Sequence, residues 1–125
     1  MAELNGRKPV LIVEDDPDLL DMMEIVLDSA EFPVRKALNG KEALEATRQQ
    51  MPGLILLDMK MPVMDGWEFA QRFKQEFDNA APIVVVTAAA DAKIRAEEIG
   101  AQGFLAKPFE IDDLIRCVGK HYLKK

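Results

Sequence analysis

Cysteine, histidine and long apolar runs are nearly absent from this sequence of 125 residues. Cys117 is the only cysteine, so the chain cannot form an intrachain disulfide or a metal site with several thiolates. His121, the only histidine, follows the last apolar helical pattern, where we expect a solvated side chain and no histidine-based catalytic triad. No apolar run exceeds the length of a strand, and the N-terminus lacks the apolar segment of a signal peptide. We therefore expect no membrane span and a reducing, cytoplasmic compartment.

Positive charge is also scarce, because 16 Lys and Arg stand against 22 Asp and Glu, for a net charge of −6. An acidic domain repels a phosphate backbone, so we expect no direct contact with nucleic acid. Hydrophobic residues make up 49% and charged residues 30%, which is typical of a folded globular chain. No linker-like stretch divides the sequence, which predicts a single domain over residues 1–125 with a core at about 8–122 and a short basic tail.

Short apolar runs alternate with longer helical patterns along the chain. The runs are Val10–Val13, Val34 with its neighbours, Leu54–Leu57, Ile83–Val86 and Gly103–Ala106. The first, third and fourth are apolar throughout, as expected for parallel strands covered by helices on both faces. Five such β-α units predict an α/β fold with a doubly wound, five-stranded parallel sheet, flavodoxin-like, in strand order 2-1-3-4-5.

The helical segments have recognisable starts. Each start is a capping residue followed by proline or, three residues later, by glutamate: Asp16 before Pro17, Asn39 before Glu42, and Asp65 before Glu68. The segment 91–99 has the weakest helical pattern. The last helix is predicted to bury four apolar residues, Ile111, Leu114, Ile115 and Val118.

Polar residues follow four of the five apolar runs. They are Glu14, Asp15 and Asp16 after the first, Asp58 after the third, Thr87 after the fourth and Lys107 after the fifth. The carboxyl ends of parallel strands meet at one edge of a sheet, where open α/β folds bind ligands. The point at which the strand order reverses lies between strands 1 and 3, beside Asp15, Asp16 and Asp58. The sequence therefore predicts one cleft that contains the carboxylates of Asp15, Asp16 and Asp58, a hydroxyl group and an ammonium group.

Three carboxylates a few ångströms apart need a compensating cation. Oxygen ligands without histidine or thiolate favour Mg²⁺ or Mn²⁺ over zinc. A phosphoryl group carried on one carboxylate would be held by the metal, by Lys107 and by Thr87. This arrangement indicates phosphoryl transfer to an aspartate. Taken alone, each residue also has a simpler explanation, since an Asp-Asp-Pro sequence is often only a helix cap.

Four ordered motifs are similar to those of the receiver domain of two-component response regulators. They are Val13–Pro17, Leu56–Pro62 with Met64–Gly66, Val86–Ala88, and Gly100–Phe109. The resemblance covers essentially the whole chain. It implies a signalling switch that takes a phosphoryl group from a histidine kinase or phosphotransfer protein and acts on an output protein. Such a domain is not an enzyme in the ordinary sense, because it catalyses only its own phosphorylation and dephosphorylation.

The resemblance also implies a role for each site residue. Asp58 would be the phospho-acceptor. Asp16 would bind Mg²⁺ directly and Asp15 mostly through water, with Asp58 and the backbone carbonyl of Lys60 as further ligands. Lys107 would pair with the phosphoryl oxygens.

The same resemblance describes how the switch would work. Thr87 would move to hydrogen-bond the phosphoryl group, for which Ala88 leaves room, and Phe104 would turn inward on activation. The output surface would be helix 4, strand 5 and helix 5, and the Lys107–Pro108 peptide bond would be cis. Ala89 has no polar group to orient an attacking water, so we expect slow self-hydrolysis.

Other functions remain open at this stage. An aspartate-nucleophile phosphatase of the haloacid dehalogenase type carries a second acid two residues after the nucleophile, where this chain has Lys60. A degenerate receiver acting as a protein-binding module would have lost a site residue. Neither a GxGxxG nor a P-loop pattern supports nucleotide binding. The sequence does not distinguish a stand-alone receiver from one excised from a longer protein.

Overall fold

Residues 7–123 are described by a computed structural model, in which five strands alternate with five helices. The predicted domain limits at residues 1 and 125, and Lys124 and Lys125 of the basic tail, lie outside the described residues. The strands are β1 (Val10–Val13), β2 (Val34–Ala37), β3 (Leu54–Leu57), β4 (Ile83–Ala88) and β5 (Gly103–Lys107). The helices are α1 (Pro17–Ser29), α2 (Gly40–Gln49), α3 (Gly66–Phe77), α4 (Ala92–Ile99) and α5 (Ile111–His121).

The strands form one parallel sheet in the order β2-β1-β3-β4-β5, which confirms the predicted flavodoxin-like topology. In the central pair, Val10 lies opposite Leu54 and Val13 opposite Leu57. Every residue of β1 and β3 is buried, because helices cover both faces of the sheet.

Alternate strand residues point to opposite faces and form two apolar cores. The core on one face joins the sheet to α2, α3 and α4, and its largest members are Leu11, Leu57, Phe69 and Phe73. The core on the other face joins the sheet to α1 and α5, with Ile12, Leu56, Met23 and Leu114 among its members. The sheet is thus packed against helices on both faces, which fixes the positions of the strand ends at its carboxyl edge.

Three of the helix starts have the predicted capping contacts. The Asp16 side chain accepts hydrogen bonds from the backbone at the start of α1, the Asn39 side chain accepts one from Glu42, and the Asp65 side chain accepts one from Glu68. The segment 91–99 also forms a helix, although its buried residues are only Ala92 and Ala96.

Three side chains of α5 differ from the sequence-based prediction. Ile111 is 55% exposed, since it is the first residue of the helix, and Ile115 is only half-buried, so the buried stripe consists of Leu114 and Val118. His121 is partly buried, because its ring packs against Gly103 at the start of β5. No helix within residues 7–123 is long and apolar enough to cross a membrane.

Candidate functional site

The carboxyl edge of the sheet brings together polar groups from four strands. Glu14 directly follows β1 and Asp58 directly follows β3, and each stands one residue beyond the paired Val13 and Leu57. Thr87 is the second-last residue of β4. Lys107 is the last residue of β5, where it pairs with Ala88. These positions adjoin the reversal of strand order between β1 and β3.

A cluster of three carboxyl groups occupies this edge. Oxygen atoms of Glu14, Asp15 and Asp58 lie within 4.8 Å of one another. The side chains of Glu14 and Asp58 are almost fully buried, whereas Asp15 is exposed. Glu14 is therefore the acidic residue that the predicted ligand set omitted. The signal for it was its place directly after an apolar strand, the same place that Asp58 takes after β3.

Asp16, predicted as a direct metal ligand, lies apart from this cluster and caps α1. Its Oδ1 accepts hydrogen bonds from the backbone N of Asp18 at 3.0 Å and of Leu19 at 3.4 Å. The backbone N of Asp16 donates to Glu14 Oε2 at 3.1 Å. The carboxylate thus satisfies two of the unpaired N–H groups at the helix start and is not part of the cluster around Asp58.

Lys107 is the cation of the site. Its Nζ donates to Glu14 Oε1 at 2.8 Å and lies 3.8 Å from Asp58 Oδ1. The buried carboxylate of Glu14 is therefore the principal partner of this ammonium group. The peptide bond between Lys107 and Pro108 is cis.

The environment of Asp58 raises its pKa from 3.8 to about 6. Desolvation is the largest cause, because burial penalises the charged carboxylate, and the charge of Glu14 acts in the same direction. Lys107 and the backbone N of Met59, which donates to Asp58 Oδ1 at 2.8 Å, act in the opposite direction. A bound cation would offset this excess of negative charge around the buried Asp58 carboxylate.

The other residues predicted for the site differ in their exposure to solvent. Thr87 is 7% exposed at the end of β4, and Phe104 on β5 is 47% exposed, with its ring outward. Lys60 is exposed in the loop that follows Asp58. Ala89 is exposed after β4, and its backbone N donates to the carbonyl oxygen of Lys107 at 3.2 Å.

The donor set fits a small hard cation. Its side-chain ligands are oxygen atoms only, and the Lys107 ammonium beside them can pair with an anion. Mg²⁺ prefers this chemistry and retains open positions for water or phosphate oxygens. The Asp58 carboxylate thus lies both within the acidic cluster and 3.8 Å from the Lys107 ammonium group.

Several curated proteins are similar in sequence to most of this chain. The DNA-binding response regulator MtrA of Mycolicibacterium smegmatis is 35% identical over 114 residues, which are 90% of this chain and 49% of MtrA. The DNA-binding dual master transcriptional regulator RpaA of Synechocystis is 32% identical over 112 residues, or 87% of this chain and 46% of RpaA. The chain spans about half the length of the curated relatives that it matches.

Solved structures of response regulators have the same fold as this chain. The chemotaxis response regulator CheY4 of Vibrio cholerae is 29% identical, with a TM-score of 0.82 over 92% of this chain and 98% of CheY4. The receiver domain of NtrX from Brucella abortus is 26% identical, with a TM-score of 0.81 over 90% of this chain and 96% of that domain. The family model described as "Response regulator receiver domain" matches residues 10–119. This chain therefore belongs to the response regulator receiver domain family.

Proposed function

We propose that this domain is a phosphorylation-activated switch whose phospho-acceptor is Asp58. Receiver domains act in two-component signalling with histidine kinases and output domains. The observation that carries the assignment is the position of the buried Asp58 carboxylate, which lies beside two acidic groups and 3.8 Å from the Lys107 ammonium. The phosphoryl donor would be a histidine kinase or a phosphotransfer protein.

Receiver domains bind Mg²⁺ at an acidic pocket, and here Asp15 and Asp58 would hold it. Glu14 takes the third carboxylate place, and the backbone carbonyl of Lys60 remains a proposed ligand. Mn²⁺ would fit the same oxygen donors. The metal would neutralise the charge that develops on the transferring phosphoryl group.

The transfer step uses groups of this chain in defined roles. An oxygen of Asp58 attacks phosphorus, the bond from phosphorus to the donor breaks, and the donor leaves with that electron pair, so that an acyl phosphate forms. Lys107 exchanges part of its contact with Glu14 for a phosphoryl oxygen. The Thr87 hydroxyl donates a hydrogen bond to another phosphoryl oxygen.

The output would be a change of surface at α4, β5 and α5. The outward ring of Phe104 lies on that surface and would turn inward when Thr87 moves toward the phosphoryl group. The named relatives are DNA-binding regulators about twice as long as this chain. We therefore assign any contact with DNA in such proteins to parts outside the matched domain, because this domain is acidic. The proposed compartment is the cytoplasm, where phosphoryl donors of this class act.

Acetyl phosphate tests the assignment directly. The intact mass of the protein should increase by one phosphoryl group with Mg²⁺ present and should not increase in EDTA. Asp58→Asn should take up no phosphoryl group, whereas Asp28→Asn, an exposed change of the same type, should behave as the wild type. Uptake by Asp58→Asn, or uptake that is independent of metal, would refute the proposal.

The aspartyl phosphate should be long-lived. Ala89 ends in a methyl group and cannot orient a water molecule for attack on phosphorus. Ala89→Glu supplies a carboxylate at this exposed position and should shorten the half-life about 100-fold, at the low end of general-base effects. Loss of the mass increase within seconds at neutral pH in the unmodified protein would contradict the expectation.

A further inference from the structure

Three side chains join the start of α3 to α4. The indole Nε1 of Trp67 donates to Glu98 Oε1 at 2.8 Å, and NH1 of Arg95 donates to Glu98 Oε2 at 2.9 Å. The guanidinium carbon of Arg95 lies 5.3 Å from the centre of the Trp67 ring, within the range of a cation–π interaction. Each side chain contacts the other two, and we refer to Trp67, Arg95 and Glu98 as the α3–α4 latch.

The apolar packing of α4 on the sheet is modest: of its longer apolar side chains, Ile99 is partly buried against the core and Ile94 is exposed. Its buried side chains are the methyl groups of Ala92 and Ala96, which contribute little apolar burial. The N-cap residue Asp91 makes no side-chain capping hydrogen bond. By comparison, α1 buries Leu20, Met23 and Leu27. The latch therefore adds polar contacts to a helix whose apolar packing is modest.

The latch is connected to the phosphorylation site through a short turn. Thr87 and Ala88 end β4, and α4 begins at Ala92. Within this turn, the backbone N of Asp91 donates to the carbonyl oxygen of Ala88 at 2.9 Å. Arg95 also lies 3.7 Å from the Asp91 carboxylate. A displacement of α4 would therefore move the segment that carries Thr87.

The latched arrangement leaves one polar atom unsatisfied. Within residues 7–123, Nε of Arg95 is buried without a hydrogen-bond partner. A buried donor without a partner raises the free energy of the arrangement that contains it. This cost offsets part of the free energy that the latch contacts contribute to holding α4.

We infer that the α3–α4 latch holds α4 and the Thr87 turn in the resting arrangement, and so opposes the change of surface driven by phosphorylation of Asp58. The inference rests on the proposed function. Trp67, Arg95 and Glu98 are positioning residues, since none of them is among the groups at the site. Opening the latch shifts the equilibrium toward the active arrangement, which binds a phosphoryl group more tightly.

Binding of beryllofluoride with Mg²⁺, measured by calorimetry, tests the inference, because this anion imitates a phosphoryl group on a carboxylate. Glu98→Ala removes two contacts of the latch and should lower the dissociation constant about five-fold, which corresponds to about 1 kcal/mol. Glu76→Ala is the matched control. It breaks a pair of hydrogen bonds to Arg48, at 2.7 and 2.8 Å, that joins α2 to α3 and leaves α4 untouched. Its dissociation constant should equal that of the wild type.

A second variant and a thermal measurement separate positioning from stability. Trp67→Phe keeps a ring under Arg95 but removes the indole N–H, so binding should tighten less than in Glu98→Ala. Both glutamate variants should lose a similar, small amount of thermal stability. Tighter binding in Glu98→Ala but not in the control Glu76→Ala supports the latch. Unchanged or weaker binding in Glu98→Ala, while the wild type binds, overturns the latch and leaves the proposed function intact.

Trp67 is the only tryptophan, so its fluorescence reports on the latch itself. Beryllofluoride should move the emission of the wild type toward that of unliganded Glu98→Ala. An emission spectrum that stays constant while beryllofluoride binds would refute the inference. A wild type that binds no beryllofluoride and takes up no phosphoryl group would refute the proposed function, and the inference would fail with it.

Discussion

At the scale of single residues, Asp58 combines two opposing requirements. In the proposed role its carboxylate would have to be ionised to bind a metal and to attack phosphorus, yet burial and the neighbouring Glu14 favour the protonated form. The raised pKa is the consequence, and only part of the repulsion is offset by Lys107. The ionised Asp58 carboxylate is therefore unfavourable in the free protein, and a bound cation would offset this cost.

The raised pKa of Asp58 predicts a stability difference that depends on pH. The folded protein binds this proton more tightly than the unfolded chain does, so the stability gained from protonation is complete below about pH 4 and is lost as the pH rises through about 6. In metal-free buffer at pH 7.5, Asp58→Asn should raise the free energy of unfolding by up to about 3 kcal/mol. Near pH 4 the difference should vanish.

Denaturant unfolding with EDTA, at pH 4 and at pH 7.5, measures the effect. Glu45→Gln removes one negative charge from an exposed position on α2 and should change the stability little at either pH. Equal stability of Asp58→Asn and the wild type at pH 7.5 would show that the carboxylate carries no such penalty.

The identity of the metal ligands also belongs to this scale. Asp15→Asn should weaken Mg²⁺ binding about ten-fold or more, because it removes a carboxylate from the cluster. Asp16→Asn should weaken it far less, since asparagine caps a helix as well as aspartate does. Calorimetric titration with Mg²⁺ compares them. Equal losses in the two variants would restore Asp16 to the ligand set that the sequence predicted.

At the scale of elements, the start of α3 is built against the loop that carries Asp58. A Cβ added to Gly66 would lie 2.8 Å from the carbonyl oxygen of Asp58 and 2.8 Å from Cα of Met59. The backbone N of Gly66 donates to the carbonyl oxygen of Met59 at 2.8 Å. The close approach of two backbone segments therefore requires glycine here, and it couples the helix to the geometry of the site.

Gly66→Ala should destabilise the protein by about 1–3 kcal/mol and slow phosphoryl uptake, because the added methyl group must displace backbone beside Asp58. Gly119→Ala is the control within α5, where an added Cβ has no neighbour within 4 Å. That change should stabilise the protein by about 0.5–1 kcal/mol. Thermal unfolding and the acetyl phosphate assay measure both effects. If Gly66→Ala changed neither the stability nor the phosphoryl uptake, the loop that carries Asp58 would be able to move without a cost in free energy.

Sequence patterns predicted the elements better than they predicted exposure. The caps at Asp16, Asn39 and Asp65 were evident because capping depends on neighbours within one turn. The exposure of Ile111 was not evident from the sequence, because it depends on how far α5 extends over the sheet. A helical period specifies which side chains share a face, and contact with other elements decides which of them are buried.

At the scale of the whole molecule, the site joins the carboxyl ends of separate strands. Glu14 follows β1, Asp58 follows β3 and Lys107 ends β5, so their arrangement exists only in the folded chain. A ligand that binds this arrangement and not the unfolded chain stabilises the entire fold.

Mg²⁺ should therefore raise the unfolding temperature. At a concentration 100 times the dissociation constant, the expected stabilisation is about 2.7 kcal/mol, and EDTA should abolish it. Asp58→Asn should show a clearly smaller rise. Differential scanning calorimetry across a series of Mg²⁺ concentrations measures the effect, with Ca²⁺-free buffer throughout. An unfolding temperature independent of Mg²⁺ would argue against a metal site at this edge.

The sequence by itself determined the strand order and the edge at which polar groups collect. Continuous apolar strands, helix caps and polar residues at strand ends are local patterns, and right-handed crossovers convert them into one parallel topology. Only the tertiary structure decided which of three consecutive acidic residues, Glu14, Asp15 and Asp16, join Asp58. The direction of each carboxylate depends on competing partners, namely the start of α1 for Asp16 and the ammonium group of Lys107, ninety-three residues away, for Glu14.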